Sequence, residues 1–296
     1  MRPQGYTLPP VLEKVIMIKA IFVDMDGTLL GKSQVAVSRR NMAALEAALD
    51  KGVYVIPCTG RVYDMLPPQI LTHRGIRYFV TSHGARVYDR VADKMIYEEL
   101  TPAEQGAQLM ELLEGKGLYC EVAANGTIYL EKAVVDNLDI TTIPEYHVWY
   151  IRDNCYTAVE KPSAYFRENN VCIEKMNLYH IPKEMQKEVF DAITATGFIR
   201  PTRYDITEAL EFSGQNLEKA RAMDALLAEL GIRYDECLAI GDTATDRDAI
   251  AACGIGVAMG NATEEVKAVA DFITATNDQD GFAVAIEKFV LREETL

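Results

Sequence analysis

The chain has 296 residues, 49% of them hydrophobic and 25% charged, a balance that excludes a disordered, collagen-like or coiled-coil protein. Lys and Arg total 30 against 44 Asp and Glu, a net charge of -14. That charge disfavours nucleic acid and anionic membrane as partners, yet leaves room for a small anion held through a cation. The length suits about two domains of roughly 100–200 residues each.

The N-terminal stretch sets Arg2, Glu13 and Lys14 around a Pro-rich start and lacks the apolar core of a signal peptide. Ile18 to Val23 is a continuous apolar run that stops at Asp24-Met25-Asp26-Gly27-Thr28, the pattern of a buried parallel strand running into a turn. Ser38 opens a helix to about Asp50, with Gly52 as its stop. Val53 to Ile56 is a second strand, ending at Pro57-Cys58-Thr59-Gly60-Arg61. Tyr78 to Thr81 is a third, ending at Ser82-His83-Gly84. This alternation predicts an α/β fold with a doubly wound, Rossmann-like parallel sheet.

From about residue 85 the pattern changes. Arg86–Tyr88 and Lys94–Tyr97 read as a hairpin. Thr101-Pro102-Ala103-Glu104 reads as a capping box opening a helix to about Gly117. Tyr119–Ala123 and Thr127–Leu130 flank Asn125-Gly126, a strong hairpin signal. A helix follows from Pro182 to about Thr196. Hairpins mixed with helices predict an α+β unit over residues 85–205, inserted into a core formed by 1–84 and 206–296. The core pattern then resumes, with a helix over Asn216–Leu230 and strands at Cys237–Ile240, Gly256–Ala258 and Phe272–Ile273.

The longest weakly polar stretch, Ala249 to Gly260, is too short to span a bilayer. The cysteines at 58, 120, 155, 172, 237 and 253 have no CxxC spacing. They read as reduced, buried thiols, which points to the cytoplasm.

In open α/β sheets ligands bind at the carboxyl ends of the strands. Asp24/Asp26, Thr59/Arg61 and Asp242/Asp246 all fall at such ends. Two carboxylates ~4 Å apart repel by about 4 kcal/mol at an effective dielectric of about 20, and a phosphate dianion adds to the repulsion. The cluster therefore calls for a divalent cation, and an all-oxygen donor set favours Mg²⁺ over Zn²⁺.

These strings occur in a telling order: Asp24-Met-Asp26-Gly-Thr-Leu, Thr59-Gly60-Arg61, Lys219 in Leu217-Glu-Lys-Ala-Arg-Ala-Met, then Gly241-Asp242-Thr-Ala-Thr-Asp246. With the insert between the second and third, the sequence resembles the haloacid dehalogenase (HAD) superfamily, and within it the Cof-type phosphatases with a large type IIB cap. Ala258-Met259-Gly260-Asn261-Ala262 and Asn277-Asp-Gln-Asp-Gly281 also fit.

The resemblance implies a Mg²⁺-dependent phosphatase of a small phosphorylated metabolite, sugar phosphates first. Asp24 would be the nucleophile and Asp26 the general acid, then base. The metal would involve Asp24, Asp26 through its backbone carbonyl, Asp242, and Asp246 through the metal's waters. Thr59 and Gly60 would hold phosphate oxygens, and Lys219 would offset negative charge. Arg61 would either clamp phosphate or substrate, or pair with a surface acid. Asn261 would either position the metal site or cap a helix over Ala262–Ala270. Thr245, His83-Gly84-Ala85 and Ala220 depart from the usual Asn, Asn-Gly-Ala and Gly, and none of these removes a group that the mechanism needs.

The cap would choose the substrate. In it Tyr146, His147, Trp149 and Arg152 form a polar-aromatic cluster that reads first as cap core or surface and second as ligand-facing. A phosphohexose mutase and a non-catalytic phosphometabolite sensor are the rival readings, and retention of both Asp24 and Asp26 argues against the sensor. No nucleic acid or membrane partner is expected, and the sequence leaves the oligomeric state open.

Overall fold

Ala20–Val23 (β1) is buried along its whole length, as a strand is when helices cover both faces of its sheet. The computed structural model describes residues 17–139, 145–153, 155–179, 181–205 and 209–292. The Pro-rich start and the side chains of Tyr146, His147 and Trp149 lie outside the described residues, while Arg152 is exposed.

β1 lies between Tyr54–Pro57 (β2) and Cys237–Gly241 (β12). Ile255–Ala258 (β13) and Phe272–Ile273 (β14) complete a parallel sheet of order β14-β13-β12-β1-β2. The strand order reverses between β1 and β12. Val23 pairs in register with Ile240 on one side and Pro57 on the other. Asp24, Cys58 and Gly241-Asp242 therefore leave the sheet side by side at its carboxyl edge.

The helix Arg39–Asp50 begins as its sequence signal indicates, the Ser38 hydroxyl accepting from the Asn41 amide at 3.1 Å. It packs against the C-terminal helix Gly281–Phe289, with Arg40 paired to Glu287 at 2.8 Å. The helix Lys219–Leu230 ends at Gly231, whose φ of 64° suits a residue without a Cβ.

Tyr78–Thr81 (β3) departs from the expected parallel strand. It touches the end of β2 by a single parallel bridge, Cys58 to Val80. Its other edge pairs antiparallel with Arg86–Asp89 (β4), which pairs in turn with Lys94–Glu98 (β5). The hairpin that follows so soon in sequence captures the strand. Val87 of that hairpin is part of the same hydrophobic core as the parallel sheet.

The insert holds a six-stranded sheet built from Tyr119–Ala124 (β6), Thr127–Glu131 (β7), Tyr156–Val159 (β8), Lys175–Tyr179 (β9), Ile199–Asp205 (β10) and Ala209–Gly214 (β11), the last of them beyond the boundary expected at residue 205. Its order is β10-β11-β9-β6-β7-β8, antiparallel except between β7 and β8. Asn125 and Gly126 join β6 to β7 with φ of 53° and 78°, the two left-handed residues that a tight hairpin turn requires. Alternate residues face opposite ways. Cys120, Val122, Met176, Leu178, Leu210 and Phe212 enter one apolar cluster with the insert's helices. Tyr119, Ala123, Ile128, Leu130, Tyr179 and Ala209 enter a second, together with Val62 and Met65 from the core.

The capping box at Thr101 does not form. The helix runs Ala103–Glu111 after Pro102 with no side-chain cap. Thr101 is instead drawn into a backbone bridge, donating to the Ile173 carbonyl at 2.8 Å and accepting from its amide at 2.9 Å. Among the described residues no helix is long and apolar enough to cross a membrane, and all six cysteines are free thiols.

Candidate active site

The turn after β1 carries most of the chemistry. Asp24 is buried, with 8% of its surface exposed, and its amide donates to the Ile240 carbonyl at 3.1 Å. Carboxylate oxygens of Asp24, Asp242 and Asp246 lie within 4.8 Å of one another. Among the described residues no group hydrogen-bonds to the Asp24 carboxylate. Burial, then the neighbouring Asp246, push its pKa well above the ordinary carboxyl range, against the opposing pull of Lys219. Asp242 is pushed up to about 6, chiefly by burial. Three hard oxygen donors that repel one another and lie largely out of water suit a small divalent cation.

Three neighbours fix Asp242. The Thr28 hydroxyl donates to its Oδ1 at 2.9 Å. The Asn261 amide donates to its Oδ2 at 3.4 Å and to the Gly27 carbonyl at 2.8 Å. Gly27, at φ 72°, leaves the space itself, because a Cβ there would lie 2.3 Å from Asp242 Oδ2. Gly27→Ala is thus expected to cost about 2 kcal/mol, from a strained left-handed residue and a displaced carboxylate together. Denaturant unfolding followed by circular dichroism measures it, and a change within error would show that the turn relaxes freely.

Asp246 is occupied within the protein. Lys219 Nζ donates to its Oδ1 at 2.7 Å, while the Asp242 and Thr243 amides and the Thr243 hydroxyl all donate to Oδ2 at 3.2 Å. Lys219 also donates to the Cys58 carbonyl at 2.9 Å. Burial works against its ammonium, but the Asp246 and Asp24 carboxylates outweigh burial and raise its pKa. Cys58 itself is pushed up to about 12 by burial, so its thiol stays protonated and no thiolate nucleophile exists here.

Asp26 is not part of the carboxylate cluster. Its side chain is 37% exposed and turns to Arg61, which grips it with two bonds: Nε to Oδ2 at 2.8 Å and a terminal nitrogen to Oδ1 at 2.5 Å. Arg61 does pair with an acid, but that acid is Asp26 of the site rather than a surface carboxylate. Thr59 is buried, and its hydroxyl accepts from the Arg61 amide at 3.2 Å. Gly60 lies under the His83 ring, where a Cβ would come within 2.4 Å of Cε1. For Asn261 the helix-cap alternative fails, since the short helix Glu264–Lys267 follows Thr263 and Asn261 accepts from the Asn277 amide at 2.9 Å.

Paired acids at adjacent strand ends, a buried Lys against one of them and a Thr-Gly turn beside them mark out a family. Residues 21–286 match the haloacid dehalogenase-like hydrolases. The chain belongs to that family. Among its haloacid dehalogenase-like relatives, phosphatase YwpJ of Bacillus subtilis is 29% identical over 287 residues, covering 90% of this chain and 98% of that protein. The 5-amino-6-(5-phospho-D-ribitylamino)uracil phosphatase YcsE of the same organism is 28% identical over 93% of this chain and 96% of its own length. A haloacid dehalogenase-like hydrolase from Bacteroides thetaiotaomicron has a solved structure that superposes with a TM-score of 0.76 at 27% identity, covering 92% of this chain and 99% of its own. The HAD subclass IIB sugar phosphatase BT4131 superposes with a TM-score of 0.69 at 26% identity, covering 93% and 100%.

Four residues around the haloacid dehalogenase-like site, Thr28, His83, Lys175 and Glu211, were not singled out as site residues in the sequence. Thr28 sits inside the first string, so its hydroxyl could have been assigned to a strand-end partner. His83 Nε2 pairs with Glu211 Oε1 at 2.9 Å, and Lys175 meets the other oxygen of Glu211 at 2.8 Å. Nothing local in the sequence connects 83, 175 and 211, because the contact exists only once the insert lies over the core.

Proposed function

We propose that the protein is a Mg²⁺-dependent phosphatase that hydrolyses a small phosphorylated metabolite through an aspartyl-phosphate on Asp24. The observation that carries this reading is the buried Asp24 carboxylate, without a hydrogen-bond donor among the described residues and pressed against Asp242 and Asp246. Such a group is a poor structural element and a suitable nucleophile.

In this reading Asp24 attacks phosphorus in line with the leaving oxygen. Asp26 protonates that oxygen and then takes a proton from the water that hydrolyses the acyl phosphate. The Thr59 hydroxyl and the Gly60 amide hold phosphate oxygens, and Lys219 offsets negative charge on Asp24 and on the phosphoryl group. Asp24, Asp242 and the Asp26 backbone carbonyl would hold the cation, with Asp246 acting through Lys219 and the metal's waters. When bound, Mg²⁺ supplies charge neutralisation and orientation of the phosphoryl group. Arg61 positions Asp26, and Asn261 positions Asp242.

The insert, whose sheet runs on to Gly214, acts as the cap that selects the leaving group. A sugar phosphate comes first, supported by relatives named for a sugar phosphatase and for a ribityl phosphate, both with polyhydroxylated leaving groups. The free thiols favour a reducing compartment, in keeping with a cytoplasmic enzyme. A phosphate-release screen over sugar phosphates, nucleotides and cofactor phosphates with Mg²⁺ tests the whole reading. Turnover of at least one sugar phosphate, lost on chelation, is expected, and inertness toward every ester would favour a sensor instead.

A further inference from the structure

The Arg61–Asp26 pair has a second tier. Besides its two bonds to Asp26, the Arg61 guanidinium donates to the Met65 carbonyl at 3.0 Å and to the Gln34 carbonyl at 2.7 Å. The side chain is 6% exposed, so these four bonds fix where it stands. Its position therefore depends on the loop Val62–Met65.

That loop is wedged between core and insert. On the core side the Tyr63 ring meets the edges of Phe79 and Tyr88, with centroids 5.1 and 5.5 Å away. On the other side Val62 and Met65 are buried in the apolar cluster that β6 and β7 present, among Ala123, Ile128 and Leu130. The Asp64 amide donates to the Gly126 carbonyl at the tip of the β6–β7 hairpin, at 2.9 Å. Without the insert, two apolar side chains would face water and one amide would lose its acceptor, while the Met65 carbonyl would lose the packing that aims it at Arg61.

We propose that Val62 and Met65 are positioning residues for the general acid: their docking onto the insert completes the placement of Arg61 and, through it, of Asp26. This rests on the reading of Asp26 as the acid of a phosphatase. Protonation of the leaving oxygen then requires a docked insert, whereas attack by Asp24 does not. A displaced insert leaves nucleophile, Lys219 and metal ligands in place but the acid unaimed.

Leaving-group dependence separates this from a merely structural role. Phenolate is a strong base that needs a proton to depart, and p-nitrophenolate leaves readily without one. The informative quantity is the ratio of kcat/KM for phenyl phosphate to that for p-nitrophenyl phosphate. The ratio does not depend on the fraction of folded enzyme, and kcat/KM excludes the later hydrolysis of the acyl phosphate. Met65→Ala is expected to lower the ratio about 10-fold with p-nitrophenyl phosphate turnover within about twofold, Arg61→Gln to lower it about 100-fold, and Met65→Leu to restore it. In an Asp26→Asn background Met65→Ala should change the ratio no further. An unchanged ratio in Met65→Ala, with both esters falling together, would overturn the proposal while leaving the phosphatase reading intact. Wild-type protein inert toward both esters would overturn that reading and the proposal with it.

Discussion

Asp24→Asn is expected to remove phosphate release by about 10⁴-fold or more in kcat, the scale of loss when a covalent nucleophile is deleted. The same substitution should raise the melting temperature of the metal-free protein at neutral pH. Asp24 is buried beside Asp246 and Asp242, and both its burial and their charge disfavour its ionised form. An amide of the same shape removes that repulsion without opening a cavity. Activity and stability are thus expected to move in opposite directions, the signature of a group retained for chemistry rather than folding. Steady-state assays and calorimetry measure the two arms. Residual turnover above about a hundredth of wild type would place the nucleophile elsewhere.

Asp242→Asn should show the same tension as a function of pH. The carboxyl ionises near 3.8 when unfolded and near 6 when folded, so the folded state binds the extra proton. Its contribution to stability is full below about pH 4 and is lost as pH rises through about 6. In chelator, wild type should therefore lose up to about 3 kcal/mol from this group between pH 4 and pH 7, while the amide variant does not. Other carboxyls move oppositely; Asp89, for instance, is held below its ordinary range by Arg77. The difference between wild type and variant isolates Asp242. Adding Mg²⁺ should stabilise wild type more at pH 7.5 than at pH 5, where protons compete for the site, and should stabilise the variant little at either pH. Equal stabilisation of wild type and variant by Mg²⁺ would remove Asp242 from the metal site.

Much of this molecule is legible in its sequence because its signals are local. A short apolar run stopping at Asp-x-Asp-Gly-Thr fixes β1 and the turn after it. Asn125-Gly126 fixes a hairpin through the left-handed backbone of both residues. Gly231 likewise stops its helix. What local pattern misreads is decided by tertiary competition. Thr101 could cap a helix, but its backbone is tied to Ile173 by two bonds and its buried hydroxyl is left without a partner among the described residues. Tyr78–Thr81 forms the core strand its sequence indicates, but it meets β2 by one parallel bridge because the hairpin beside it offers a longer ladder. Arg61 was readable as a phosphate clamp or as an acid's partner, and only the folded loop shows its guanidinium taken up by Asp26 and two carbonyls. The links from His83 to Glu211 and from Met65 to Leu130 join residues that no periodicity relates.

The claim on which all else depends is that phosphorus bonds to the Asp24 carboxylate. A crystal structure of the protein with Mg²⁺ and beryllofluoride, a mimic of the acyl phosphate, tests it most directly. The account expects beryllium bonded to one Asp24 oxygen, with the ion between that group and Asp242. Beryllofluoride bound to another residue, or an unmodified Asp24 in crystals whose metal site is filled, would contradict it.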